Sequence, residues 1–117
     1  MAEGENMEIT TRRIGKCKVL DCSGKLVLGP ATEALRNAIR EAVQDGTQKV
    51  VLNLDKVTLI DSCGIGELIS GLVHLRSRGG NISLLNINKK IDRPIYMVKL
   101  QINFEIFDDE KSALSDC

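Results

Sequence analysis

The sequence predicts an α/β fold with a small mixed, mostly parallel β-sheet and packed α-helices. Three observations support this prediction. Short runs of strand-forming residues alternate with segments whose apolar residues recur at helical spacing. One run, residues 49–54, is nearly all apolar, which is typical of a strand covered on both faces. Two successive strand patterns begin the chain, so the first strand is expected to run antiparallel in a hairpin.

The first half of the chain predicts this hairpin and then a helix. Residues 7–15 and 17–29 have strand patterns, and Gly15 between them suits a turn. Pro30 suits the first turn of a helix, and Gly46 suits its end. The apolar residues at helical spacing between them are Leu35, Ala38, Ile39, Ala42 and Val43.

The second half predicts helices alternating with strands. A second helix follows residues 49–54 and ends at Gly79 and Gly80. Its predicted buried face comprises Ile65, Leu68, Ile69, Leu72, Val73 and Leu75. Its predicted exposed face comprises Glu67, Ser70, Gly71, His74 and Arg78. The remaining pattern is a buried strand at 81–87, a weak helix interrupted by Pro94, a short strand at 104–107 and a helix start after it.

The composition predicts one domain. Residues 1–7 are expected to form a flexible leader and residues 8–117 a single domain. Sixteen basic residues balance sixteen acidic ones, and Trp is absent, so no direct binding of nucleic acid is predicted. No signal-peptide pattern or membrane-length apolar run is present. These features predict a cytoplasmic location and no direct membrane insertion.

The cysteine pattern indicates neither a metal site nor a catalytic one. The four cysteines, at 17, 22, 63 and 117, form no CxxC pair, and His74 is the only histidine. We therefore predict no metal site and no other cofactor. In a reducing compartment we expect four free thiols.

Residues 59–68, LIDSCGIGEL, raise three interpretations. Gly64 and Gly66 supply only part of a GxGxxG fingerprint, and no Walker A pattern occurs, so phosphate cradling is weakly supported. Ser62 or Cys63 could serve as a nucleophile. A base is then needed, and His74 lies about 18 Å further along the same predicted helix. No enzymatic activity is predicted.

The third interpretation is a modification switch. Asp61 and Ser62 precede an apolar periodic segment, where helix N-cap residues belong. Gly64 and Gly66 each lower helix propensity by about 1 kcal/mol, which is more readily tolerated if bare backbone lets another protein approach. A phosphate on Ser62 would lie near free N–H groups at the positive helix end. The partner surface is predicted at the loop 56–62, the first turns of the second helix and residues 24–31.

The strand VVLNL followed by IDSCGIGEL resembles the STAS domain of anti-sigma-factor antagonists, whose pattern is Asp-Ser-Ser-Gly-Leu-Gly at a helix start. Asp61, Ser62, Gly64 and Gly66 match, and Cys63 stands for the second Ser. The flanking segments SGKLVLGPATEAL and RSRGGNISLLNI add to the resemblance, which covers roughly residues 8–115. Residues 24–27 differ, because many antagonists have Gly-Glu-Leu-Asp where this chain has Gly-Lys-Leu-Val.

The resemblance implies a STAS-like fold and a partner-switching function. The unphosphorylated protein would bind an anti-sigma factor that is a serine kinase, and so release a sigma factor. Phosphorylation of Ser62 would end this binding, and a serine phosphatase would restore it. The alternatives are a scaffold subunit of a signalling assembly and an accessory domain of a membrane transport system; a weak homodimer is left open. The residues expected to bind the partner are Asp61, Ser62, Cys63, Gly64, Gly66 and Glu67.

Overall fold

The computed structural model describes residues 7–117. Its strands are β1 (Glu8–Ile14), β2 (Cys17–Leu26), β3 (Lys49–Ile60), β4 (Asn81–Leu85) and β5 (Glu105–Phe107). Its helices are α1 (Pro30–Gln44), α2 (Ser62–Arg76), α3 (Asp92–Met97) and α4 (Glu110–Ala113), with a 3₁₀ helix at Leu100–Ile102. The predicted order of elements is confirmed. Six of the seven predicted leader residues lie outside the described part, but Met7 is buried in the core and so belongs to the folded domain.

The five strands form one sheet in the order β1-β2-β3-β4-β5. β1 and β2 are antiparallel, and Gly15 in the turn between them has a positive φ of 60°. β3, β4 and β5 each run parallel to the preceding strand in the sheet. The mixed, mostly parallel sheet predicted from the sequence is therefore confirmed.

Helices cover the two faces of the sheet unequally. The main core lies between α1, α2, α3 and one face, and it includes Leu35, Leu68 and Ile95. A smaller cluster on the other face joins Ala113 of α4 to strand residues, and its buried members are Val19, Val51, Leu85 and Ala113. This second cluster depends on the short helix α4 for its cover.

β3 is longer than predicted. The expected strand was 49–54, whereas β3 continues to Ile60 past a register irregularity opposite Asp21 and Ser23 of β2. The side-chain amide of Asn88 donates to the carbonyl oxygens of Leu54 and Val57, each at 2.9 Å, and so satisfies backbone groups that the irregularity frees. The predicted loop 56–62 is consequently strand up to residue 60.

The prediction of four free thiols is wrong. Cys17 at the start of β2 and Cys117 form a disulfide, and their Cα atoms lie 5.7 Å apart. Cys22 and Cys63 are free. Burial raises the pKa of the Cys22 thiol to about 12, so this thiol is unreactive. The pairing was missed because the two partners are 100 residues apart in sequence, and the fold alone brings them together.

Candidate functional site

The chain segments predicted to form a surface meet where β2 and β3 end and α2 begins. The carboxyl ends of parallel strands lie at the same edge of a sheet, and Leu26 pairs with Ile60 there. The backbone N–H of Asp61 donates to the carbonyl oxygen of Leu26 at 3.3 Å. The backbone N–H of Leu28 donates to Asp61 Oδ2 at 3.0 Å. The residues after β2 are thereby fastened to the start of α2.

Asp61 is the N-cap of α2. Its backbone is extended, with φ of −106°, and its Oδ1 accepts the backbone N–H of Gly64 at 2.8 Å. The N–H groups of Leu28 and Gly64 favour the charged carboxylate and hold the pKa of Asp61 below its usual value. Asp61 thus has a structural role in fixing the first turn of α2, as its sequence position predicted.

Ser62 is the first residue of α2 and is exposed. Within residues 7–117 the Ser62 hydroxyl forms no side-chain hydrogen bond. Modification of this hydroxyl would therefore break no side-chain hydrogen bond there. A helix N-terminus favours an added negative charge by roughly 0.3–1 kcal/mol at an exposed site. We therefore expect α2 to persist if a phosphate is added to Ser62.

Gly64 and Gly66 have different roles. The prediction that both leave backbone exposed is wrong for Gly64, which is buried, and a Cβ there would collide with the carbonyl oxygen of Leu26. It would also lie 3.0 Å from the side chain of Ile60. A Cβ on Gly66 would meet nothing within 4 Å. Gly64 therefore allows α2 to pack against β2, and Gly66 is the glycine that leaves an open surface.

Substituting each glycine by alanine should separate the two roles. We expect Gly64→Ala to lower the free energy of unfolding by about 1–3 kcal/mol, because the new methyl meets a backbone atom. Gly66→Ala should raise it by up to about 1 kcal/mol, since alanine is the better helix former. Urea unfolding of both variants checks this pair. Equal effects of the two substitutions would contradict the assignment.

The exposed side of α2 carries an apolar stripe that was not predicted from the sequence. Ile69 and Val73 were predicted to be buried, yet they are 43% and 64% exposed. With Ser62 and Gly66 they repeat at intervals of four, three and four residues and so share one side of the helix. We call these four residues the α2 stripe. The signal was present in the sequence, because the apolar positions of α2 are too many for a single buried face.

The buried side of α2 includes a residue predicted to be exposed. Gly71 is buried, and a Cβ there would lie 2.5 Å from the side chain of Ile39 on α1. α1 and α2 therefore pack closely at Gly71. This contact turns Ile69 and Val73 outwards, since they lie on the opposite side of the helix.

Two neighbours of the α2 stripe define its margins. Leu28, whose backbone N–H donates to Asp61, is 73% exposed and adds an apolar side chain at this edge of the sheet. Glu67 was predicted to contact a partner, but its carboxylate accepts two hydrogen bonds from Arg36 of α1, at 3.1 and 2.7 Å. Glu67 thus links α1 to α2.

The candidate nucleophiles have no catalytic base within the described residues. Cys63 is exposed and free, and neither it nor Ser62 hydrogen-bonds to a basic side chain there. His74 is exposed on α2, as predicted. The three metal-ligating residues that residues 7–117 bring together are Cys17, Asp116 and Cys117, and their two sulfur atoms are bonded to each other. None of the helices in residues 7–117 is both long and apolar enough to cross a bilayer.

The Asp61 cap predicts a measurable pH dependence. The pKa of Asp61 is lower in the folded state than its ordinary 3.8, so its stabilisation is complete above that value and is lost as pH falls through the folded pKa. Asp61→Asn keeps a side-chain oxygen that can cap α2 but loses the negative charge, so above roughly pH 5 it should be less stable than the parent by about 0.3–1 kcal/mol. The difference in unfolding free energy between Asp61→Asn and the parent should disappear in more acidic solution. Urea unfolding across pH measures it, and a constant gap would contradict the charged cap.

Comparison with known proteins identifies the family. A model of the STAS domain matches residues 8–113. The chain belongs to the STAS domain family. This STAS domain is 26% identical over 86 residues to the anti-sigma F factor antagonist of Paenibacillus polymyxa, covering 73% of this chain and 74% of that protein. The family predicted from the DSCGIG motif is confirmed.

Solved structures confirm the fold of this STAS domain. The crystal structure of tm1081 from Thermotoga maritima matches it with a TM-score of 0.84 at 21% identity, covering 92% of each chain. SpoIIAA in its unphosphorylated form matches with a TM-score of 0.74 at 21% identity, covering 93% of this chain and 96% of that one. The phosphorylated form from Bacillus matches with a TM-score of 0.73 at 20% identity, covering 92% and 97%. At these identities the likeness is one of fold.

Proposed function

We propose that this STAS domain is an anti-sigma-factor antagonist that acts by partner switching in the cytoplasm. The unphosphorylated protein binds an anti-sigma factor that is also a serine kinase, and this binding releases a sigma factor. The kinase phosphorylates Ser62 and ends the binding, and a serine phosphatase restores it. The protein catalyses no reaction in this cycle.

The observation that carries the proposal is the position of Ser62 at one end of the exposed α2 stripe. Its hydroxyl is accessible, and Gly66, Ile69 and Val73 extend from it along the same side of the helix. The similarity to the anti-sigma F factor antagonist of Paenibacillus polymyxa supports an antagonist role. The two SpoIIAA structures add that a protein of this fold occurs in unphosphorylated and phosphorylated forms.

The energetics favour a switch at the surface over a change of fold. A phosphate adds about −1.5 to −2 charges, which the N-terminus of α2 tolerates within the monomer. In a complex, the same charge would be placed at an interface that includes apolar side chains, where desolvating it is unfavourable. Phosphorylation should therefore act mainly on affinity and leave the folded monomer intact.

A basic residue at the carboxyl end of β2 bears on the choice of partner. Lys25 occupies a place where many antagonists have an acidic residue, and it forms no ion pair among the described residues. We expect the partner to present an apolar surface with a neutral or acidic margin. Capture from the native cytoplasm with the unphosphorylated protein identifies the partner. Recovery of an anti-sigma kinase supports the proposal, whereas recovery of a scaffold assembly or a membrane transporter contradicts it.

A charge in the middle of the α2 stripe should weaken partner binding. Gly66→Glu places a carboxylate between Ser62 and Ile69, and we expect the dissociation constant to rise at least about tenfold, equivalent to 1.4 kcal/mol. Gln48→Glu is the matched control, because Gln48 is exposed and directly precedes β3, at the opposite edge of the sheet. Calorimetric titration measures both variants, with thermal melts to verify folding. Equal affinities would place the interface elsewhere.

A further inference from the structure

The segment 108–117, which we call the α4 segment, is fastened at the edge of the sheet opposite Ser62. The disulfide joins Cys117 to Cys17, the first residue of β2, whereas Ser62 follows the last residue of β3. The turn before β2 is in close contact with Cys117, because a Cβ on Gly15 would collide with the carbonyl oxygen of Cys117. The cross-link therefore fixes the α4 segment at a site remote from the α2 stripe.

The α4 segment covers the second face of the sheet. Ala113 is fully buried against strand residues, and Phe107 and Leu114 are half-buried beside it. The strand residues beneath are Val19, Val51 and Leu85, each with no exposed surface. Displacement of the segment would open this small apolar cluster to water without disturbing the main core under α1 and α2.

The non-covalent contacts of the α4 segment are weak. α4 has only four residues, too few for a stable isolated helix. Glu110 accepts hydrogen bonds from Arg12 at 2.6 and 3.2 Å, and Asp116 pairs with Lys49 at 2.9 Å. The acidic side chains of these pairs are 42% and 69% exposed, and ion pairs with so exposed a partner typically contribute about 0–1 kcal/mol each. The disulfide is therefore the strongest single constraint on the segment.

The two cysteines differ in exposure. Cys17 is 2% exposed, whereas Cys117 is half-buried. An incoming thiolate can thus reach Cys117 Sγ more readily and expel the Cys17 thiolate. Disulfides in reducing compartments are usually transient or redox-sensing, which fits an accessible pair that closes over a weakly held segment.

We propose that Cys17 and Cys117 form a reversible redox site that undergoes thiol–disulfide exchange with a dithiol–disulfide carrier. The disulfide, when formed, holds the α4 segment against the sheet. In oxidation, the Cys117 thiolate attacks the carrier disulfide, forming a mixed disulfide and releasing one carrier thiol. The Cys17 thiolate then attacks Cys117 Sγ and releases the second carrier thiol. Two electrons pass from the protein thiols to the carrier, whose two sulfur atoms take up the two protons. Reduction reverses these steps and frees the α4 segment.

The site is tested by equilibrating the full chain with oxidised and reduced dithiothreitol at a series of ratios. After acid quench and denaturation, alkylation and peptide mapping report which thiols are paired. Hydrogen exchange at the same ratios measures the exchange rates of the backbone amides of Ala113, Leu114 and Cys117. These amides donate hydrogen bonds within the folded segment. We expect a Cys17–Cys117 link that forms and breaks with the ratio. Exchange of these three amides should be at least tenfold faster in the reduced protein, with α2 unchanged.

Two variants serve as controls. Cys117→Ser should show fast exchange of the α4 segment at every ratio, and Cys63→Ser should respond as the parent does, since Cys63 is free. Absence of the link at every ratio, a link through Cys22 or Cys63, or a link that dithiothreitol cannot break would overturn the proposal. Equal exchange in the linked and reduced proteins would also overturn it. None of these results depends on Ser62 or on a partner.

Discussion

Loss of the Cys17–Cys117 link should lower the free energy of unfolding of the oxidised protein by about 3–4 kcal/mol, since the link closes a long loop in the unfolded chain. The two cysteines are 100 residues apart, so the unfolded chain loses much conformational freedom when they are joined. Urea unfolding of Cys117→Ser against the oxidised parent measures the difference.

Two comparisons make this stability test specific. Reductant should bring the parent to the stability of Cys117→Ser and leave the variant unchanged. Cys63→Ser should differ from the parent by about 1 kcal/mol or less, because an exposed thiol contributes little packing. A difference below about 1 kcal/mol between Cys117→Ser and the oxidised parent would mean that the link does not constrain the fold.

Ser62→Asp should bind the proposed partner about tenfold to a hundredfold more weakly, a loss of roughly 1.5–3 kcal/mol. The carboxylate adds charge at the end of the α2 stripe, where the parent presents a neutral hydroxyl. The mimicry is partial, since Asp carries less charge than phosphate. Ser62→Ala should bind as the parent does and resist inactivation by the kinase.

Gln48→Asp is the matched control for this charge. Gln48 is exposed and directly precedes β3, at the edge of the sheet opposite Ser62. We expect it to change affinity much less than Ser62→Asp. Calorimetric titration of the three variants measures this difference, and an equal loss in Gln48→Asp would show that binding responds to charge in general, with no special role for Ser62.

Local patterns in the sequence were sufficient for the order of elements and for the helix cap. Pro30 and Gly46 bound α1 as predicted, and Asp61 caps α2 at its predicted place. These features depend on backbone preferences within a few residues. The DSCGIG motif likewise carried the family assignment, which the match over residues 8–113 confirms.

Features that depend on contacts between distant segments could not be predicted. Gly64 and Gly66 have similar local sequence, and only the approach of Leu26 to Gly64 separates them. Ile69 and Val73 face outwards because Gly71 packs on Ile39, a residue of another helix. When a helix has more apolar residues than one buried face can hold, the sequence pattern alone does not show which of them are buried.

The predictions of the end of β3 and of four free thiols were wrong for the same physical reason. Polar Asp55 and Lys56 interrupt the apolar pattern of β3, and the strand continues because Asn88 donates to neighbouring carbonyl groups. Cys17 and Cys117 meet only once the hairpin and α4 are in place. Neither the Asn88 hydrogen bonds nor the cysteine pairing can be recognised from the local sequence.

Phosphorylation by the captured kinase tests directly whether Ser62 is the switch. The full chain is incubated with that kinase and ATP, peptides are mapped by mass spectrometry, and the affinity of the modified protein for the kinase is measured. We expect a phosphate on Ser62 and a dissociation constant raised at least about tenfold. A phosphate on Ser23, Thr58 or Ser70 with Ser62 unmodified, or full phosphorylation of Ser62 with unchanged affinity, would contradict it.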